Sequence, residues 1–92
     1  MRHYVFRWNA WNVGKVELHG LSVEEVEYVV DSARRPHPKP IGNEKWLVVG
    51  PTRSGLWIQV FFTIDDDGDR LFVIHARPLQ PDERRRGRRK KR

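Results

Sequence analysis

Residues 45–77 read KWLVVGPTRSGLWIQVFFTIDDDGDRLFVIHAR, and this stretch decides the fold. β-Branched and aromatic residues fill three runs, about Lys45–Val49, Leu56–Ile64 and Arg70–Arg77. Turn-forming residues divide them at Pro51–Gly55 and Asp65–Asp69. Connections this short join antiparallel neighbours, because a parallel crossover needs a dozen or more residues. A three-stranded meander of two hairpins is expected.

Strand periodicity then sorts the faces of that sheet. Ile58, Val60, Phe62 and Ile64 share one side of the middle strand, and Trp57, Gln59, Phe61 and Thr63 the other. Strict alternation in the last strand sets Phe72, Ile74 and Ala76 against Leu71, Val73, His75 and Arg77. The purely apolar sets belong beneath helices. The opposite face mixes rings with Gln59, Thr63, His75 and Arg77, a poor core but a suitable RNA surface, with rings for bases and cations for phosphate. The competing expectation makes Trp57 and Phe61 core beneath a C-terminal helix, with His75 and Arg77 as ordinary edge residues.

Upstream, Tyr4–Trp8 is a short aromatic lead-in, and Asn9 is the N-cap of a helix over about Ala10–His19 that Gly20 stops. Ser22 and Glu25 have capping-box spacing, with Leu21 and Val26 placed as a hydrophobic staple, so a second helix starts at Val23. Its apolar side is Val23, Val26, Val30 and Ala33, its wet side Glu24, Glu27 and Asp31, and it ends near Arg34. Pro36, Pro38, Pro40 and Gly42 make Arg35–Asn43 irregular. The expected class is α+β: two N-terminal helices packed on a small antiparallel β-sheet meander, followed by a basic C-terminal helix or tail. With 92 residues there is material for one modest core, so residues 1–83 form a single domain. Pro81, Asp82 and Glu83 look like the start of a short helix at about 81 that leads into the tail, residues 84–92.

That tail holds eight of the eighteen Lys and Arg residues, with only Gly87 interrupting them. The remaining ten basic residues face twelve acids, so the body sums to about −2 while the whole chain is +6. A block this dense stays solvated and attracts polyanions, with RNA or DNA binding that is nearly sequence-blind and steeply salt-dependent. A solubility tail with no dedicated partner is the bland alternative.

Several chemistries are excluded by composition. With no cysteine there is neither a disulfide framework nor a thiolate site. His3, His19, His37 and His75 show none of the short pair spacings of zinc sites, and no Gly-rich phosphate loop, nucleophile elbow or dinucleotide fingerprint occurs. The run Asp65–Asp69 lacks the terminal Glu of a calcium loop and reads as a hairpin turn. Neither a metal nor a small-molecule cofactor is expected. No apolar run approaches a membrane span, and a cytoplasmic location without membrane association is the expectation.

What survives is metal-free phosphodiester cleavage, in which a 2′-hydroxyl attacks the neighbouring phosphate. It needs a cation for the charged transition state and proton carriers that titrate near neutrality. Arg77 suits the first role and His75 the second, with Lys45 and Arg53 as accessory cations for flanking phosphates.

In order along the chain, Phe6 and Trp8, His19-Gly20, Leu21-Ser22 with Glu24-Glu25, Trp46-Leu47 with Gly50 and Gly55, and Ala76-Arg77 followed by Glu83, Arg84 and Arg85 resemble the BrnT toxins. These are small ribonuclease toxins of type II toxin–antitoxin pairs, built on a RelE-like fold. The resemblance covers nearly the whole chain. It implies RNA cleavage that inhibits translation, and a partner antitoxin, a dimer with a ribbon-helix-helix DNA-binding half. Trp8 and Arg77 match positions near the family's functional surface. Leu18 and Pro51 stand where the family has basic residues, and His75 stands where it has Ser.

The expected function is thus a toxin that acts as a metal-independent endoribonuclease. The candidate catalytic residues are His75 and Arg77, and the RNA-binding set is Trp8, Lys45, Arg53, Trp57, Arg84, Arg85 and Arg88. The alternatives are a non-catalytic RNA- or DNA-binding module or an inactive toxin-like protein that uses its basic tail, and a protein-interaction domain whose tail meets an acidic partner.

Overall fold

Both helices form where their caps place them. In the computed structural model, which describes residues 4–65 and 68–80, α1 spans Ala10–Leu18 and α2 spans Val23–Asp31. Asn9 accepts from the Asn12 backbone N–H while the Asn12 side chain accepts from Asn9, a reciprocal box that satisfies two otherwise orphaned donors. Ser22 and Glu25 repeat the arrangement on α2. Gly20 lies between the helices at φ +77°, a conformation that costs a residue without Cβ little. Helix α2 ends three residues before the expected Arg34, with Ser32 as C-cap. Two of its nominally wet residues are occupied: Glu27 accepts from the Trp8 indole at 2.7 Å and Asp31 from the Tyr4 backbone at 2.9 Å.

The three long strands are β3 (Lys45–Pro51), β4 (Trp57–Ile64) and β5 (Arg70–Pro78), paired antiparallel as the turns require. Two further strands complete a five-stranded mixed sheet of order β1-β5-β4-β3-β2. The aromatic lead-in supplies β1 (Val5–Arg7), which pairs parallel with β5 through Phe6 opposite Leu71. The sheet is therefore not the purely antiparallel meander expected. Lys39–Pro40, inside the segment expected to be irregular, forms β2 against Leu47 and Trp46. Asn43 (φ 54°) and Glu44 (φ 60°) build the left-handed hairpin turn that returns this short strand along β3.

Both helices serve the same core. Val26, Val29 and Val30 of α2 and Val16 of α1 are fully buried with Val48, Ile58, Val60, Phe62, Val73 and Ala76 of the sheet. A Cβ placed on Gly50 would lie 3.5 Å from Val29 Cγ1, so α2 rides directly over β3. On α1 the usual assignment is inverted: Asn12 is fully buried, whereas Trp11 and Leu18 are largely exposed. Burial suits Asn12 because its amide is spent on the cap and on the Arg7 carbonyl, at 3.0 Å, which ties the end of β1 to the start of the helix.

The β4 faces are those that the alternation predicts; half of the β5 faces are not. A β-bulge lets Phe61 pair with His75 and Phe62 with Val73, leaving Ile74 as the extra residue. Leu71 and Val73 consequently join Ala76 in the core, while Phe72 shares the open face with His75 and Arg77. Among the described residues no helix is long and apolar enough to cross a membrane. The expected helix from about 81 and the tail lie outside the described residues.

Candidate functional site

His75 and Arg77 lie on the sheet face opposite the α2 layer, beside Phe61 and Gln59 of β4. With its amide oriented so that oxygen faces the guanidinium, Gln59 accepts from Arg77 Nε at 3.0 Å and Nη2 at 2.8 Å. Arg77 Nη1 donates to the Pro78 carbonyl at 3.1 Å. The guanidinium plane is thus held from strand β4 and from its own strand.

Helix α1 brings further groups to this end of β5. Trp11, Lys15 and His19 recur every fourth position and so lie in one line along the helix and its cap. The His19 ring meets the His75 ring edge-on, with centroids 5.2 Å apart, and Phe61 lies 6.0 Å from His75 on its other neighbour strand. At the head of the line, Trp11 stacks on Phe72 at 5.9 Å and 11°, and Lys15 Nζ sits 5.3 Å from the indole centroid. Burial, then repulsion from His19, Arg77 and Lys15, holds the His75 imidazolium below its ordinary pKa of 6.5. His75 is therefore a neutral imidazole at pH 7, able to accept a proton, within a surround of cationic side chains.

The residues expected at the site divide into four groups. Trp57, His75 and Arg77 share the open face at the same end, with Trp57 two residues from Gln59 and its carbonyl accepting from Leu79 N–H at 3.0 Å. Lys45 lies on that face opposite Thr63, four residues along β4 from Gln59, or about 13 Å. Trp8 and Arg53 are drawn to the helical side. Trp8 packs on Phe6 and donates to Glu27, and the Arg53 guanidinium covers the Tyr28 ring of α2 at 4.5 Å. Arg84, Arg85 and Arg88 lie outside the described residues. Sequence reasoning missed Lys15, His19 and Trp11. Their spacing of four was the available signal, and it points to a site only once α1 is known to border β5.

Chemically, the arrangement offers a neutral imidazole, a second imidazole in contact with it, a braced guanidinium and an ammonium, all beside exposed or half-buried rings. Such a set recognises a phosphodiester with an adjacent base and can move a proton next to it. Compared with protein families, curated proteins and solved structures, the chain shows no significant match to any.

Proposed function

We propose that this protein is a metal-independent endoribonuclease on a RelE-like fold, the toxin of a cytoplasmic type II toxin–antitoxin pair. The observation that supports this reading is the convergence of His19, His75, Arg77 and Lys15 on one sheet face, with burial and the neighbouring charges favouring the neutral form of His75. In this reading His75 removes the proton of the 2′-hydroxyl, O2′ bonds to the adjacent phosphorus, and the bond from phosphorus to O5′ breaks. His19 delivers a proton to the departing O5′, leaving a 2′,3′-cyclic phosphate and a 5′-hydroxyl. Arg77, braced by Gln59, and Lys15 stabilise the charge that builds on the non-bridging oxygens. The eight cations of residues 84–92 add affinity for RNA of any sequence.

The resemblance to BrnT toxins extends the reading to arrest of translation and to neutralisation by a ribbon-helix-helix antitoxin. Purified protein incubated with labelled RNA tests the chemistry. The wild type should cleave, and a His75→Ala, Arg77→Ala double variant should lose about 10²–10⁴-fold in rate. Equal cleavage by the two proteins removes the site assignment. A wild type that binds RNA without cutting it leaves the tail-borne binding module in place of the enzyme.

A further inference from the structure

We propose that Trp11 is the platform on which a base of single-stranded RNA stacks beside the histidine pair, an assignment that rests on the ribonuclease reading above. The indole is 51% exposed although it belongs to a helix whose neighbouring position, Asn12, is fully buried. An exposed indole offers a flat apolar face on which a base can stack. Phe72 backs the indole at 5.9 Å and 11°, which fixes its plane while half of its surface stays open. The Arg7 guanidinium lies 4.2 Å from the Phe72 ring and anchors that backing residue in turn.

The spacing of the row matches a nucleic-acid strand in its order of chemistry. Platform, ammonium and imidazole follow at four-residue steps, each about 6 Å along α1. A strand laid along this line places a base on Trp11, the next phosphate at Lys15, and the scissile phosphate among His19, His75 and Arg77. Lys15 is exposed, and its flexible stem lets the ammonium leave the indole for a phosphate when a base arrives. Stacking on an indole accepts every base, so the platform positions the strand and discriminates weakly among sequences.

The probe is a short 2′-O-methyl oligoribonucleotide, which retains bases and phosphates but has no attacking hydroxyl, titrated against the full chain over a range of salt. Trp11→Leu keeps an apolar contact on Phe72 without a ring face, whereas Trp11→Phe keeps a ring. Trp11→Leu should weaken binding about tenfold at every salt concentration, because stacking releases no counterions, while Trp11→Phe retains most of the affinity. Lys15→Gln should instead flatten the dependence of log K on log salt by about 0.7. Unchanged affinity of Trp11→Leu, a loss that vanishes at high salt, or no binding by the wild type would each overturn the platform. Failure of the enzymatic reading is separate: a wild type that binds the probe through Trp11 yet leaves unmodified RNA intact keeps the platform and loses the catalyst.

Discussion

The two ends of β5 gather cations on the same sheet face and use them in opposite ways. At the Arg70 end, Arg7 donates to both oxygens of Asp65, at 2.9 and 3.0 Å, and Arg70 Nε adds a contact at 3.5 Å. The Arg7 hydrogen bond and its charge hold the Asp65 carboxyl below the ordinary range, and Asp65 in turn raises Arg7. At the Arg77 end, the charges among the described residues that lower the His75 pKa come from His19, Arg77 and Lys15. A cation matched to a carboxylate contributes to folding, while cations grouped around an imidazole act on the charge state of that imidazole. Clustered charge marks a candidate site when it acts on the group that must do the chemistry.

The sharpest way to break this contrast is to remove one arginine from each end. Arg77→Ala should cost about 10²–10³-fold in cleavage rate, the effect of deleting one transition-state donor, with little change in melting temperature. Arg7→Ala should do the reverse, lowering the melting temperature and costing far less cleavage, since Arg7 reaches the site only through Phe72 behind Trp11. If both variants lose cleavage equally, the whole face acts through its summed field and the distinction between its ends disappears.

Asn12 offers a second, smaller test, because it joins the two ends mechanically. Its side chain holds the Arg7 carbonyl and the Asn9 N–H, so it fixes α1, with Lys15 and His19, relative to β1. Asn12→Ala leaves both backbone groups without this partner in a buried site and should cost about 1–3 kcal/mol, read from urea unfolding. Cleavage should fall with it, through displacement of α1, while the Arg7–Asp65 pair persists. Retained stability would show that the network is dispensable.

How far this site is legible in the sequence follows the same division between local and long-range causes. The Asn9 cap, the Ser22–Glu25 capping box and the three long strands rest on neighbours within a few residues, and they form within three residues of the expected bounds. His75 and Arg77 lie side by side as their spacing requires. The bulge at Ile74 left no signature, since Leu71-Phe72-Val73-Ile74 is apolar at every position and alternation has nothing to register against. Strand β1 pairs with residues more than sixty positions away, beyond any local pattern. The row on α1 was hidden for a different reason. Its polar Asn12 is inside and its apolar Trp11 and Leu18 are outside, so hydrophobicity points to the wrong face.

Acid provides the finest probe of the two ends, because each has one group whose protonation the fold resists, in different windows. Folding lowers the His75 pKa from 6.5, so between that value and the folded one the unfolded chain binds more protons. The contribution is complete above about 6.5 and is lost as pH falls through the lower folded value. Asp65 is likewise depressed, but from 3.8, so its contribution survives through the His75 window and is lost only as pH falls through a value below 3.8. Lys15→Gln removes one of the repelling charges and should move the His75 pKa back toward 6.5, followed through its imidazole ring protons by NMR. The acid limb of cleavage should shift to higher pH with it, since the base form is required, while Asp65 titrates as before. Arg7→Ala should do the converse, raising Asp65 and leaving His75 in place. A Lys15→Gln variant that moved Asp65, or an Arg7→Ala variant that moved His75, would mean that Phe72 and Trp11 couple the ends electrostatically, and the face would have to be treated as one site.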